Sequence, residues 1–198
     1  MPTDIAASST VSSPAMAQLP ESAGDVLLPL ARSAIAARLG AGSLTAVHEG
    51  WLSITGASFV TLKLHNNLRG CIGTLQAHRT LGEDVKANAM AAAFTDPRFK
   101  PLTQTEFEAI NVEVSVLSPL EALTVLDEND ALSQLRANID GVVFVYGHHR
   151  STFLPQVWEE FSDPHLFLGH LKYKAGLPPT FWDPAVKISR YTVSKWRE

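Results

Sequence analysis

The chain has a single cysteine, Cys71, so no internal disulfide can form, and a lone thiol fits a reducing compartment. It also lacks an excess of basic residues. Sixteen Lys and Arg stand against twenty Asp and Glu, for a net charge of −4. That balance gives no concentrated positive patch of the kind that binds nucleic acid. No apolar run approaches the roughly 20 residues of a membrane span. The first residues have neither the basic cluster nor the compact apolar stretch of a secretory signal. The expectation is a soluble, cytoplasmic protein that binds neither nucleic acid nor a membrane. Other patterns are missing too. His165 and His170 are five apart and His148-His149 are adjacent, so neither pair has the i,i+4 spacing that puts two ligands on one helical face. With no second cysteine, a zinc site is not expected. There is no phosphate loop and no dinucleotide fingerprint, and no cofactor is expected.

What is present is a 198-residue chain, 45% hydrophobic, long enough for one domain with a sizeable core. Met1–Ala23 is rich in Ser, Ala, Thr and Pro and reads as a flexible tail, which leaves 24–198 as the folded domain. Val26, Leu27, Leu30, Ala31, Ile35 and Leu39 recur at helical spacing, with Gly40 as a stop. Phe59–Leu64 alternates as a strand. Asn66-Asn67 is a turn signal, and Arg69–Leu75 is its hairpin partner. Thr80-Leu81-Gly82-Glu83 is a capping box that opens an alanine-rich helix to Phe94. Asn111–Leu117 puts Val112, Val114 and Val116 on one face and Glu113 and Ser115 on the other. Further on, Glu128–Asn138 reads as a helix, Val142–Tyr146 and Ser151–Leu154 as strands, Asp163-Pro164 as a helix start, and Val186–Val193 as one last strand. Several strands are hairpin-linked, so the fold class is α+β with a mostly antiparallel sheet and flanking helices, not a doubly wound one.

The segment that draws attention is Leu68-Arg69-Gly70-Cys71-Ile72-Gly73-Thr74. Glycine weakens a strand and marks a bulge, or a close approach by a ligand or another backbone. Here Gly70 and Gly73 flank the only cysteine. Arg69 adds a cation with a planar fork of donors, and a neighbouring cation raises the nucleophilic thiolate fraction of a cysteine. Two readings follow. Cys71 is a reactive or ligand-touching thiol beside an anion site, or it is a small buried hydrophobe with the glycines serving a bulge. His65 lies close by in sequence and would activate the thiol if the hairpin brought the two together.

Leu68–Leu75 (LRGCIGTL), Ala91–Phe99 (AAAFTDPRF), Val112–Leu117 (VEVSVL), Thr152–Glu159 (TFLPQVWE) and Leu171–Pro178 (LKYKAGLP) occur in this order. Together they resemble the AMMECR domain family, whose prokaryotic members are called AmmeMemoRadiSam system protein A. The resemblance runs from about Val26 to the C-terminus, with no departure inside LRGCIGT. It implies two subdomains forming a cleft lined by that motif. It also implies a working partnership with a Memo-type protein and a radical S-adenosylmethionine enzyme. It names no reaction.

Around the motif, Glu113 is a general base or amine-binding group, or a solvent-facing strand residue. Arg98 holds a carboxylate or phosphate, or caps the end of the alanine-rich helix. Thr74 offers a hydroxyl, or is a plain strand residue. Gln156 reaches the cleft or ties down its own turn. One functional reading is an enzyme or enzyme component acting on a small molecule, with Cys71 and Glu113 as the chemical pair. The motif and its neighbours, Arg69, Gly70, Gly73, Thr74, Arg98 and Gln156, would then hold the ligand. The other is a binding or adaptor module that presents a ligand or a surface to a separate catalyst.

Overall fold

The computed structural model describes residues 19–43 and 47–198. The chain is α+β, with two antiparallel sheets, each carrying helices on one face. Of the expected tail, residues 1–18 lie outside the described residues. Ordered contacts begin before Gly24: Glu21–Ala23 forms a 3₁₀ turn, Ala23 is fully buried, and the Trp196 indole donates to the Glu21 carbonyl.

Helix α1 (Gly24–Leu39) packs beside helix α2 (Leu81–Phe94) on one face of the first sheet. That sheet runs β2 (Asn67–Gly73), β1 (Thr55–Leu64), β4 (Ile110–Leu117), β9 (Val193–Arg197). The short β3 (Arg79–Thr80) pairs with the start of β1. Alternation decides which residues turn toward the helices. Val60 and Leu62 of β1 and Val112, Val114 and Val116 of β4 join Leu27, Ile35, Leu81 and Val85 in one core. The alanines at 89, 92 and 93 let α2 lie close against the strands. The capping box forms as the sequence predicts, with Glu83 N donating to Thr80 Oγ1 and Thr80 N to Glu83 Oε2.

Helix α3 (Gln104–Ala109) leads into β4. The second sheet runs β5 (Glu121–Leu123), β8 (Lys187–Tyr191), β6 (Gly141–Tyr146), β7 (His149–Phe153). Val142 and Phe144 face its own helices, α4 (Glu128–Gln134) and α5 (Pro164–Lys174), around a Trp158–Phe167 stack with centroids 3.6 Å apart. Val143 and Tyr191, on the other face, pack with Ala57 and Leu117 of the first sheet.

Three sequence expectations need correction. The single last strand expected at Val186–Val193 is two strands in different sheets, β8 and β9. The chain changes sheet at Thr192, where it meets the earlier crossing at Ser118: each backbone N–H of that pair bonds the other residue, Ser118 N to Thr192 O and Thr192 N to Ser118 Oγ. A change of sheet leaves the alternation unbroken, so the pattern carries no sign of it. The turn centres on His65 and Asn66, both at positive φ, one residue earlier than expected. Helix α4 stops at Gln134, four residues short of the expected Asn138, because Arg136 and Asp140 close the next segment on each other.

Candidate functional site

Strand β2 is the edge of the first sheet, and a register slip opposite Leu62/Lys63 leaves Arg69 as its extra, bulged residue. Beyond the bulge the side chains alternate. Gly70, Ile72 and Thr74 turn toward α2, while Cys71 and Gly73 turn away from it. Both glycines have packing reasons. A Cβ at Gly70 would collide with the Ala92 carbonyl of α2, and one at Gly73 with the Phe59 ring. Of the alternatives open in the sequence, the structure realises a bulge and a close backbone approach.

The face opposite the helices carries Cys71 and Glu113. Cys71 pairs with Thr61, Thr61 with Glu113, and Glu113 with Arg197, so the four residues form one row across four strands. The Thr61 hydroxyl donates to Cys71 Sγ at 3.3 Å. Lys63 Nζ donates to Glu113 Oε1 at 2.7 Å, and Lys195 Nζ lies 3.9 Å from Oε2. Glu113 is therefore an almost buried carboxylate, 7% exposed, between two lysines, and not a solvent-facing strand residue. Two strand spacings, about 10 Å, separate it from Cys71, so the two do not touch. At the other end of this face, Ala57, Phe59, Leu117 and Val193 are covered by the second sheet.

Cys71 is held by its backbone as well. Its N–H donates to Asp96 Oδ2 at 2.9 Å, and its carbonyl accepts from Arg98 Nη2 at 3.1 Å. Arg98 also bonds both oxygens of Asp96, at 3.0 and 2.7 Å. This pair closes the free edge of β2 at Cys71, as an added strand would. Asp96 is 3% exposed, and the Arg98 guanidinium, helped by the Cys71 N–H, holds its carboxyl well below the usual carboxylate range despite that burial. Arg98 thus binds a carboxylate two-pronged, but the carboxylate is the protein's own.

Arg69 is placed on Glu106: Nε and Nη2 donate to its two oxygens at 2.9 and 3.1 Å, and Nη2 also reaches the Lys100 carbonyl. The Arg69 hydrogen bonds, with those of Thr103, pull the Glu106 carboxyl down to about 2. Thr74 donates to Asp84, which is fully buried and also accepts from Ser58, Arg79 and Asn88. Gln156 sits in the 3₁₀ turn Pro155–Glu159 and lines a depression of about 320 Å³ together with Lys195. It reaches the Cys71 row only by way of Lys195 and Glu113. His65 is at the hairpin tip, four residues from Thr61 or about 13 Å along the strand, so no Cys–His couple forms. Among the described residues, no group of three or more His, Cys, Asp or Glu is placed to hold a metal ion. No described helix is long and apolar enough to cross a membrane.

Sequence reasoning missed Thr61, Lys63, Lys195, Asp96 and the Asp84 network. Asp96 had a signal, standing two residues before Arg98 in the same Asp-Pro-Arg-Phe segment. Lys63 and Thr61 sit on the polar side of an alternation already read as a strand. Lys195 had none, because its strand was not foreseen.

The fold and the motif define a class of two-sheet α+β proteins with a cysteine on the polar face of an edge strand. The family model described as AMMECR1 matches residues 28–196, and the chain belongs to that family. It is 41% identical over 142 residues to a protein of Methanothermobacter thermautotrophicus, covering 71% of this chain and 74% of that one. It is 40% identical over 144 residues to a protein of Methanocaldococcus jannaschii, covering 71% and 72%. The crystal structure of an uncharacterized protein from Pyrococcus horikoshii superposes with a TM-score of 0.73 at 32% identity, covering 91% and 93% of the two chains.

Proposed function

We propose that the protein is an enzyme, or the substrate-holding component of one, and that it acts on a small molecule over the polar face of the first sheet. The site is the surface formed by Cys71, Thr61 and Glu113, next to where the second sheet covers the same face. Cys71 is the nucleophile or the direct ligand contact. Glu113, with Lys63, is the group that gives or takes a proton. The observation that carries this reading is the row itself: one partly buried thiol and one almost buried, lysine-clamped carboxylate, placed on one face by strand register. A face meant only for solvent has no need to bury a carboxylate between two cations.

The Asp96–Arg98 pair supports the same reading, since it fixes the backbone of Cys71 from the strand edge and leaves the thiol on the open face. It also suits a second reading, a non-catalytic binding module, in which Cys71 contacts a ligand without reacting. Reactivity separates the two. In the enzyme reading, intact protein alkylated with iodoacetamide at neutral pH labels Cys71 at least about tenfold faster than free glutathione does, and Cys71→Ser abolishes labelling while the fold survives by circular dichroism. A Cys71 that labels no faster than free thiol makes this a binding module. Partnership with a Memo-type protein and a radical S-adenosylmethionine enzyme rests on family membership. Co-purification with those proteins tests it, and separate elution counts against it.

A further inference from the structure

The depression beside Gln156 is not part of the Cys71 row, and its chemistry is different. Its polar lining is Asn138, Gln156, Glu159, Thr192 and Lys195. Lys195 carries a positive charge and Glu159 a negative one, yet they do not pair with each other. Among the described residues, the one ion-pair contact of Lys195 is to Glu113, at 3.9 Å, too long for a hydrogen bond. Among the described residues, the side chains of Asn138, Gln156, Glu159 and Lys195 make no hydrogen bond to the protein. A concave site with a few polar groups is the usual form of a small-molecule pocket, and about 320 Å³ is at the small end of that range; Asn138, Gln156, Glu159 and Lys195 are all exposed around it, open to a ligand arriving from water. Opposite charges held apart in one hollow complement a ligand that carries both signs. The remaining walls, Ile139, Pro155 and Val193, are apolar and fit an aliphatic side chain.

We infer that this depression binds the zwitterion of an α-amino acid. Its carboxylate is received by the Lys195 ammonium and the Gln156 amide, its ammonium by the Glu159 carboxylate, and its side chain by Ile139 and Val193. Lys195 is shared: it stands between this hollow and Glu113, so the bound carboxylate lies next to the proposed proton-handling group. The inference goes beyond the Cys71 reading and does not require it.

The experiment is calorimetric titration of the full chain with the twenty standard L-amino acids, followed by the N-acetyl and the amide derivative of the tightest binder. Saturable binding is expected, strongest for an aliphatic member. Each derivative is expected to bind about tenfold more weakly, because each loses one charge-assisted contact. Glu159→Gln removes the discrimination against the N-acetyl form, and Lys195→Gln that against the amide. Both side chains are at the surface, and unchanged melting temperatures verify the fold. Cys71→Ser keeps the binding, so a failure of the thiol reading leaves this result intact, and the reverse also holds. No saturable binding by any of the twenty, equal affinity for the derivatives, or discrimination that survives both variants overturns the inference.

Discussion

Over the two faces of the first sheet stand carboxylates of similar depth and different kind. On the helix side, Asp84 is fully buried and accepts from five side-chain or backbone donors on β1, β3, α2 and the Thr74 loop. On the opposite side, Glu113 is nearly as buried but has only lysines, whose stems lead out to water. Asp84 is wired into the fold from every side and has nothing left to offer a ligand. Glu113 keeps lone pairs, and its partners are partly in water. Burial alone does not separate the two acids; the exposure of their partners does.

The sharpest way to break this comparison is to remove each carboxylate. Asp84→Ala leaves Ser58, Arg79 and Asn88 without their shared acceptor in a closed site, and unfolding free energy should fall by about 3–5 kcal/mol. Glu113→Gln keeps the volume and gives up a pair whose lysine is partly in water, so the fall should be about 1 kcal/mol. Urea denaturation of both variants measures the difference. Equal losses would mean that Glu113 belongs to the fold as firmly as Asp84 does.

Much of this was legible in the sequence, and the limits are physical. The alternation of Val112, Val114 and Val116 placed Glu113 on the far face correctly, because strand periodicity is a local property. The capping box at Thr80–Glu83 was legible for the same reason. Which cation meets which anion is not local. Arg69 and Cys71 are two residues apart, yet Arg69 is taken by Glu106, thirty-seven positions on, because a bulge sends its side chain off the strand's alternation. The Asp96–Arg98 clamp needed knowledge of where α2 returns the chain. Lys195 needed a strand that begins only after the chain has changed sheets.

A smaller effect separates the motif's arginine from its thiol. Arg69 holds Glu106 at about 2, below its ordinary value of 4.5. The folded state binds that proton less tightly than the unfolded chain does, so the pair's stabilisation is complete above pH 4.5 and is lost as the pH falls through about 2. The carboxylate is partly in water, so its share is about 1 kcal/mol. Glu106→Gln should therefore flatten the acid limb of the stability curve between about pH 5 and 2, read by thermal melting. It should leave the Cys71 labelling rate at neutral pH unchanged, since the Arg69 contacts go to Glu106 and the Lys100 carbonyl and not to the thiol. A changed labelling rate would couple Arg69 to the Cys71 sulfur.

The smallest expected effect is the most specific to the polar face. Thr61→Val replaces a hydroxyl with a methyl of nearly the same shape at the position directly opposite Cys71. The strand loses no packing, and stability should move by less than about 1 kcal/mol. What is lost is the hydrogen bond to Sγ at 3.3 Å. A hydroxyl that donates to sulfur holds it in one orientation on the open face, so alkylation of Cys71 should slow by about threefold. The helix-facing Ser58, three residues earlier on the same strand, has a hydroxyl of the same kind directed at Asp84. Ser58→Ala should do the reverse: cost stability and leave the labelling rate alone. If both variants changed the rate alike, the sheet would be transmitting strain between its faces and the row would have no private chemistry. If neither did, Thr61 would be packing and the thiol would be tuned by the Asp96–Arg98 clamp at the strand edge.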